Sequence, residues 1–213
     1  RMDHTRLSPA AGGNDRFDDS ARRSFTAGSF SLGGIYKLTP VWSLAANGAY
    51  TERAPTFYEL YANGPHAATG QYLVGDQNLG KERAWSGDLS LRYKDGTDHG
   101  SVGVFYSSFA NYLAETNTGR YRNDDGDVVA AGDDGALPEA RYQGVSARLY
   151  GLEAENVTRI LQRDGHALDL GLSGDYTVSR NRDTGRSLPR IPPLRLRVAL
   201  DYGYGPYLSL IHI

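Results

Sequence analysis

Few residues of this 213-residue chain combine types and spacings that could do chemistry. His66 stands in a stretch, residues 52–82, with neither helical nor strand period; Glu59 lies upstream and Asp76 downstream. Neutral imidazole with carboxylate oxygens suits zinc or another borderline divalent ion. A second group, Asp124, Asp125, Asp127, Asp133 and Asp134, falls in NDDGDVVAAGDDG, where carboxylates and glycines can cage calcium through oxygen ligands. The run lacks the glutamate that closes a twelve-residue calcium loop, so a solvated acidic loop that only steers cations is the competing reading. A plain loop histidine competes likewise at His66, because His4, His66, His99, His166 and His212 are scattered. The expected ligand-binding set is Glu59, His66 and Asp76. The expected metal set is His66, Asp124, Asp125 and Asp127, with zinc or calcium as the ion and no other cofactor.

Catalysis finds no foothold. Cysteine is absent, which removes thiol nucleophiles, Cys-ligated zinc and disulfides, and neither a nucleophile elbow nor an H-E-x-x-H run occurs. A net charge of −2 without a basic run gives no footprint for nucleic acid. No apolar stretch approaches the ~20 residues of a spanning helix, yet a membrane barrel hides its hydrophobicity in alternation.

That alternation organises the chain. Phe30, Leu32, Gly34 and Tyr36 share one face; Trp42, Leu44, Ala46, Gly48 and Tyr50 share the next. The pattern returns at Trp85–Tyr93, Val102–Tyr106, Tyr150–Ala154, Leu168–Val178 and Leu194–Tyr202, predicting seven strands with one apolar and one polar face. On the polar faces Glu153, Glu155, Asp169, Asp175, Arg195 and Arg197 would line a lumen, as satisfied ion networks or as a translocation path. Most runs exceed the five or six residues usual in globular strands, and Tyr and Trp sit near their ends on the apolar face, as membrane girdles require. Connections alternate in length: LTPV, KDGTDH and TRILQRDGH are short, whereas 53–81, 113–139 and 180–192 are long. An outer-membrane barrel places short turns on one side and long loops on the other. A soluble carbohydrate-binding β-sandwich and a passive porin are the alternatives.

The segment TERAPTFYELYANGPHAATGQYLVGDQNLGKERAWSGDLSLRY resembles TonB-dependent outer-membrane receptors at Arg53, Pro55, Glu59, Leu60, Tyr61, Gly64, Gly75, Leu79 and Glu82. ARYQGVSARLYGLEAE and SLPRIPPLRLRVAL are similar to further barrel segments of that family, and the stretch from Gly64 to Ala68 is similar to its zinc-uptake branch. The resemblance implies an all-β transmembrane antiparallel barrel of 22 strands with long extracellular loops, in the outer membrane of a Gram-negative bacterium. It also implies an N-terminal plug, a small nutrient ligand (metal ion, siderophore or haem-type) and energy from a TonB-type complex. Seven strands would leave open edges, which cannot face lipid, so the chain is expected to be a barrel fragment. Residues 1–22 are expected to be a loop or strand end, 23–203 the partial barrel, and 204–213 a truncated end. There LSLIHI breaks the alternation and matches what a transposon-end library adapter would encode.

Overall fold

The structure, a computed structural model, describes residues 1–9 and 22–212. Most of the expected segment 1–22 therefore lies outside the described residues, but Met2–Leu7 form β1, which pairs antiparallel with β2 (Arg23–Gly28). All seven strands read from alternation are present: β3 (Phe30–Lys37), β4 (Trp42–Arg53), β7 (Glu82–Asp95), β8 (Asp98–Arg122), β10 (Leu137–Arg163), β11 (His166–Asn181) and β12 (Arg195–Tyr204). They form an antiparallel meander in chain order, and β13 (Tyr207–His212) extends it beyond β12. The tail that breaks the alternation is thus paired as a strand. β3 and β13 stand at the two ends of the sheet, which does not close.

Register places the apolar residues in rows across the sheet. Leu44 faces Leu91, Leu91 faces Val102, Leu152 faces Val104 and Tyr176, and Leu172 faces Val198. Leu32 is 82% and Leu196 77% exposed, an arrangement that water would penalise and hydrocarbon rewards. Aromatic rings bound the band. Phe30, Tyr50 and Trp85 cluster with centroids 4.9–5.7 Å apart at one level, and Trp42 packs on Tyr93 at 4.9 Å at the other. From Trp42 to Tyr50 the strand runs roughly 27 Å, which at a tilt of about 40° rises roughly 20 Å, most of the height of an apolar band about 25 Å tall.

Turn chemistry sets which end is which. β10 and β11 are joined by Asp164 and Gly165, with φ of 51° and 81°, the two left-handed residues that a type I′ hairpin demands. β7–β8 and β12–β13 also turn on two residues each, so that end of the sheet is tight.

At the opposite end the long loops expected at 113–139 and 180–192 are shorter than the sequence reading gives. β8 continues to Arg122, β10 starts at Leu137 and β11 reaches Asn181. The reason is packing on both faces. Leu113 packs with Leu60, Tyr61 and Leu79, while the next residue, Ala114, packs with Val145, Ala147 and Leu188. Successive strand residues point to opposite faces, so a strand covered on both sides loses its polar alternation. The stretch 54–81 also carries structure, the helix α1 (Phe57–Tyr61) and the hairpin β5 (Asn63–His66) and β6 (Gln71–Val74), and the short β9 (Val128–Val129) pairs with the end of β8.

Leu170→Arg or Leu196→Arg in the full barrel is expected to destabilise assembly by about 2–4 kcal/mol where the side chain meets the bilayer midplane. Folding into lipid vesicles, followed by heat-modifiable gel mobility, measures it; wild-type folding of both variants would reverse the assignment of faces.

Candidate functional site

The outer end is built around a salt-bridged clamp. Beyond Tyr50, β4 ends at Arg53, and Pro55 precedes the helix cap Thr56. Its hydroxyl accepts from the Glu59 amide at 3.3 Å, while the Thr56 amide donates to Glu59 Oε2 at 2.6 Å, a reciprocal capping box. Arg53 donates to both Glu59 oxygens at 2.9 and 3.0 Å and to both Glu82 oxygens at 3.1 and 3.3 Å. Glu82 also accepts from the Leu113 amide at 3.0 Å. One guanidinium thereby ties α1 to β4 and β7, and Glu82 continues the tie to β8. Burial opposes ionisation of Glu59, but the Arg53 and Thr56 bonds outweigh it and hold the carboxyl below its ordinary range.

Apolar packing finishes the platform. Leu60 and Tyr61 are buried with Phe25, Leu79 and Leu113. Gly75 is needed for closeness, since a Cβ there would lie 2.6 Å from the Leu60 carbonyl carbon. β6 runs parallel to β10, with Tyr72 opposite Glu139. Glu139, almost wholly buried, is paired with Arg122, whose guanidinium sits 5.6 Å from the Tyr72 ring.

Between this platform and residues 189–191 lies a cavity of about 470 Å³. Tyr58, His66, Tyr112, Glu115, Tyr142 and Arg190 supply its polar and aromatic wall. Arg190, held at φ 62°, donates to Glu115 Oε2 at 2.8 Å across 75 residues of chain. His66 Nδ1 lies 3.0 Å from Thr69 Oγ1. Burial, reinforced for Tyr112 by Glu82 and for Tyr142 by Glu115, raises both phenols above their ordinary range and keeps them as neutral donors.

The expected ligand set is only partly brought together. His66 and Glu59 both line the cavity, but the Glu59 carboxylate is occupied by Arg53 and Thr56. Asp76 is elsewhere: its amide donates to the Glu59 carbonyl at 2.9 Å and its Oδ1 accepts from the Asn78 amide at 2.8 Å, shaping a turn. Asp124, Asp125 and Asp127 are exposed around a turn in which the Asp127 amide donates to Asn123 Oδ1 at 2.8 Å. Among the described residues no group of three or more histidines and carboxylates is placed to hold a metal ion, so neither the expected ligand-binding set nor the expected metal set is assembled as an ion site. For Glu59 and Asp76 the reason is local: Arg53 and backbone amides already hold their carboxylates. Glu153, Glu155, Asp169, Asp175, Arg195 and Arg197 lie on the face opposite the apolar rows. Asp175 pairs with Arg195 at 2.9 Å, Asp169 with Arg159 at 2.6 Å, and Glu155 accepts from Ser101 at 3.2 Å. Arg53, Tyr112, Glu115, Tyr142 and Arg190 were not expected at the site. Arg53, Tyr142 and Arg190 each stand inside a motif the sequence displays, whereas nothing local marks Tyr112 and Glu115.

A family model described as TonB dependent receptor-like, beta-barrel matches residues 1–210. Among curated proteins, the iron-regulated outer membrane virulence protein of Vibrio cholerae serotype O1 is 25% identical over 165 residues, 75% of this chain and 24% of that protein. Among solved structures, the copper transporter OprC superposes with a TM-score of 0.63 at 23% identity, covering 86% of this chain and 25% of that one. The ferric enterobactin receptor of Pseudomonas aeruginosa gives 0.57 at 22%, covering 84% of this chain and 26% of that one. The chain therefore spans about a quarter of the length of the relatives it matches, and the structural likenesses at these identities speak to the fold.

Glu59→Gln is expected to cost about 1–3 kcal/mol, the range for losing a charged hydrogen-bond partner. Because the folded pKa of Glu59 lies below the unfolded one, its contribution is present above the ordinary carboxylate pKa and is lost as pH falls through the lowered value. Hydrogen-exchange protection of the Leu60 and Asp76 amides should therefore hold from pH 7 to pH 5 and fall below about pH 4. In Glu59→Gln it should be low throughout; protection equal to wild type would refute the clamp.

Proposed function

Because the chain belongs to the TonB-dependent receptor β-barrel family, which its match over residues 1–210 establishes, we propose that it is the part of an outer-membrane receptor that captures a scarce metal as an anionic organic chelate. The observation that carries this reading is the cavity wall of Tyr58, Tyr112, Tyr142 and Arg190. Phenol hydroxyls and a guanidinium donate to anionic oxygens, and ring faces stack on planar chelating groups. A bare divalent ion needs several convergent carboxylates or imidazoles. Here His66 is the sole histidine of the wall, and the Glu59 and Glu115 carboxylates are engaged by arginines. The names of the relatives, which concern copper, iron and ferric enterobactin, agree with metal acquisition.

The mechanism is binding and gated import without bond chemistry. A ligand anion would exchange for Glu115 at Arg190, so that capture alters the tie between residues 189–191 and β8. Uptake would then draw on a TonB-type complex through the N-terminal part of the receptor, with the ion-paired polar face lining the path. The family match favours this over a passive porin and over a soluble sandwich.

Arg190→Ala and Tyr142→Phe in the full receptor are expected to weaken binding of a ferric siderophore, by roughly 10–100-fold for the arginine and less for the tyrosine. Fluorescence quenching on titration reads the affinity. His66→Ala should leave it nearly unchanged. Full affinity in Arg190→Ala, with lost zinc uptake in His66→Ala, would replace the chelate with a bare ion.

A further inference from the structure

On the membrane-facing side, β4, β7, β8, β10, β11 and β12 carry no charged side chain between the two aromatic levels. The first charges above the band on β10 and β11 are Arg148 and Arg180, which are direct cross-strand partners. They follow Tyr150 and Val178, also partners, by one step of the alternation, so both guanidinium groups leave the sheet on the apolar side. Both residues are exposed. Like charges directly opposite one another destabilise a sheet unless something neutralises them.

Nothing among the described residues does so. Arg148 lies over the Tyr150 ring at 6.0 Å, and Arg180 donates to the Gly185 carbonyl at 3.1 Å; among the described residues neither forms a salt bridge. The contrast on the same side is Lys81 and Arg83, which share the carboxylate of Glu52. Arg148 also stands at the top of a hollow of about 820 Å³ whose wall includes Val104, Tyr106, Leu152 and Tyr176 and whose floor passes Gly87. A cation above an apolar groove at the level where hydrocarbon gives way to headgroups matches an amphiphile with a phosphate at its head.

We propose that Arg148 and Arg180 jointly bind the phosphate of a lipid of the outer leaflet, whose acyl chain lies in the groove below Tyr106 and Tyr176. The pair is a lipid site distinct from the nutrient cavity. The anion removes the repulsion between β10 and β11 where they leave the membrane.

The test uses the full receptor in detergent, incubated with vesicles of bisphosphorylated lipid A, of its dephosphorylated form or of phosphatidylcholine, then washed and read by native mass spectrometry. Wild type should retain the phosphorylated lipid, and Arg148→Gln/Arg180→Gln should retain roughly thirtyfold less, about fivefold for each cation near a headgroup. Arg148→Lys/Arg180→Lys should recover part of the retention. Equal retention of the dephosphorylated lipid by wild type overturns the proposal without needing any variant. So does wild-type retention in the double glutamine variant, or displacement of the lipid by millimolar inorganic phosphate, which would make this a free-anion site.

Discussion

A strand inside hydrocarbon has no water to satisfy its N–H and C=O groups, so every crossing segment must find a neighbour along its length. That constraint explains the meander from β3 to β13: each strand pairs antiparallel with its predecessor, joined by tight turns at one end and by longer segments at the other. Side chains then have only two places to go. Leucine, valine and aromatic residues take one face, serine and ion-paired charges the other, and the register keeps each kind in rows.

The same constraint relaxes at the outer end, where a different stabilisation takes over. There the chain makes a conventional core, with Leu60, Tyr61, Leu113, Ala147 and Leu188 buried. The Arg53, Glu59 and Glu82 clamp orients α1, α1 sets the position of Gly75 and β6, and β6 docks on β10. The cavity lined by Tyr112, Tyr142 and Arg190 lies against that assembly. Its wall is positioned by groups that never need to touch a ligand.

How far the sequence disclosed this depends on which environment a residue occupies. A half-buried strand has a two-residue period, and Leu168 to Val178 displays it without ambiguity. Leu113 and Ala114 are adjacent and both buried, because β8 is covered on both faces there, so the period vanishes and a strand reads as loop. Glu59 was visible as a motif residue, yet its spacing fits a capping glutamate as well as a metal ligand. Only the position of Arg53 decides between them. The Arg190–Glu115 contact joins residues 75 positions apart, which no local pattern encodes.

The unusual placement of the buried core has a consequence for how the molecule comes apart. The outer assembly is held by water-driven burial and ion pairs, the spanning band by the bilayer itself. Urea and acid act on the first, whereas the second answers to the thickness and cohesion of the surrounding lipid. The protein is therefore two materials joined end to end along the same strands. The outer assembly can loosen while the wall through the membrane stays intact.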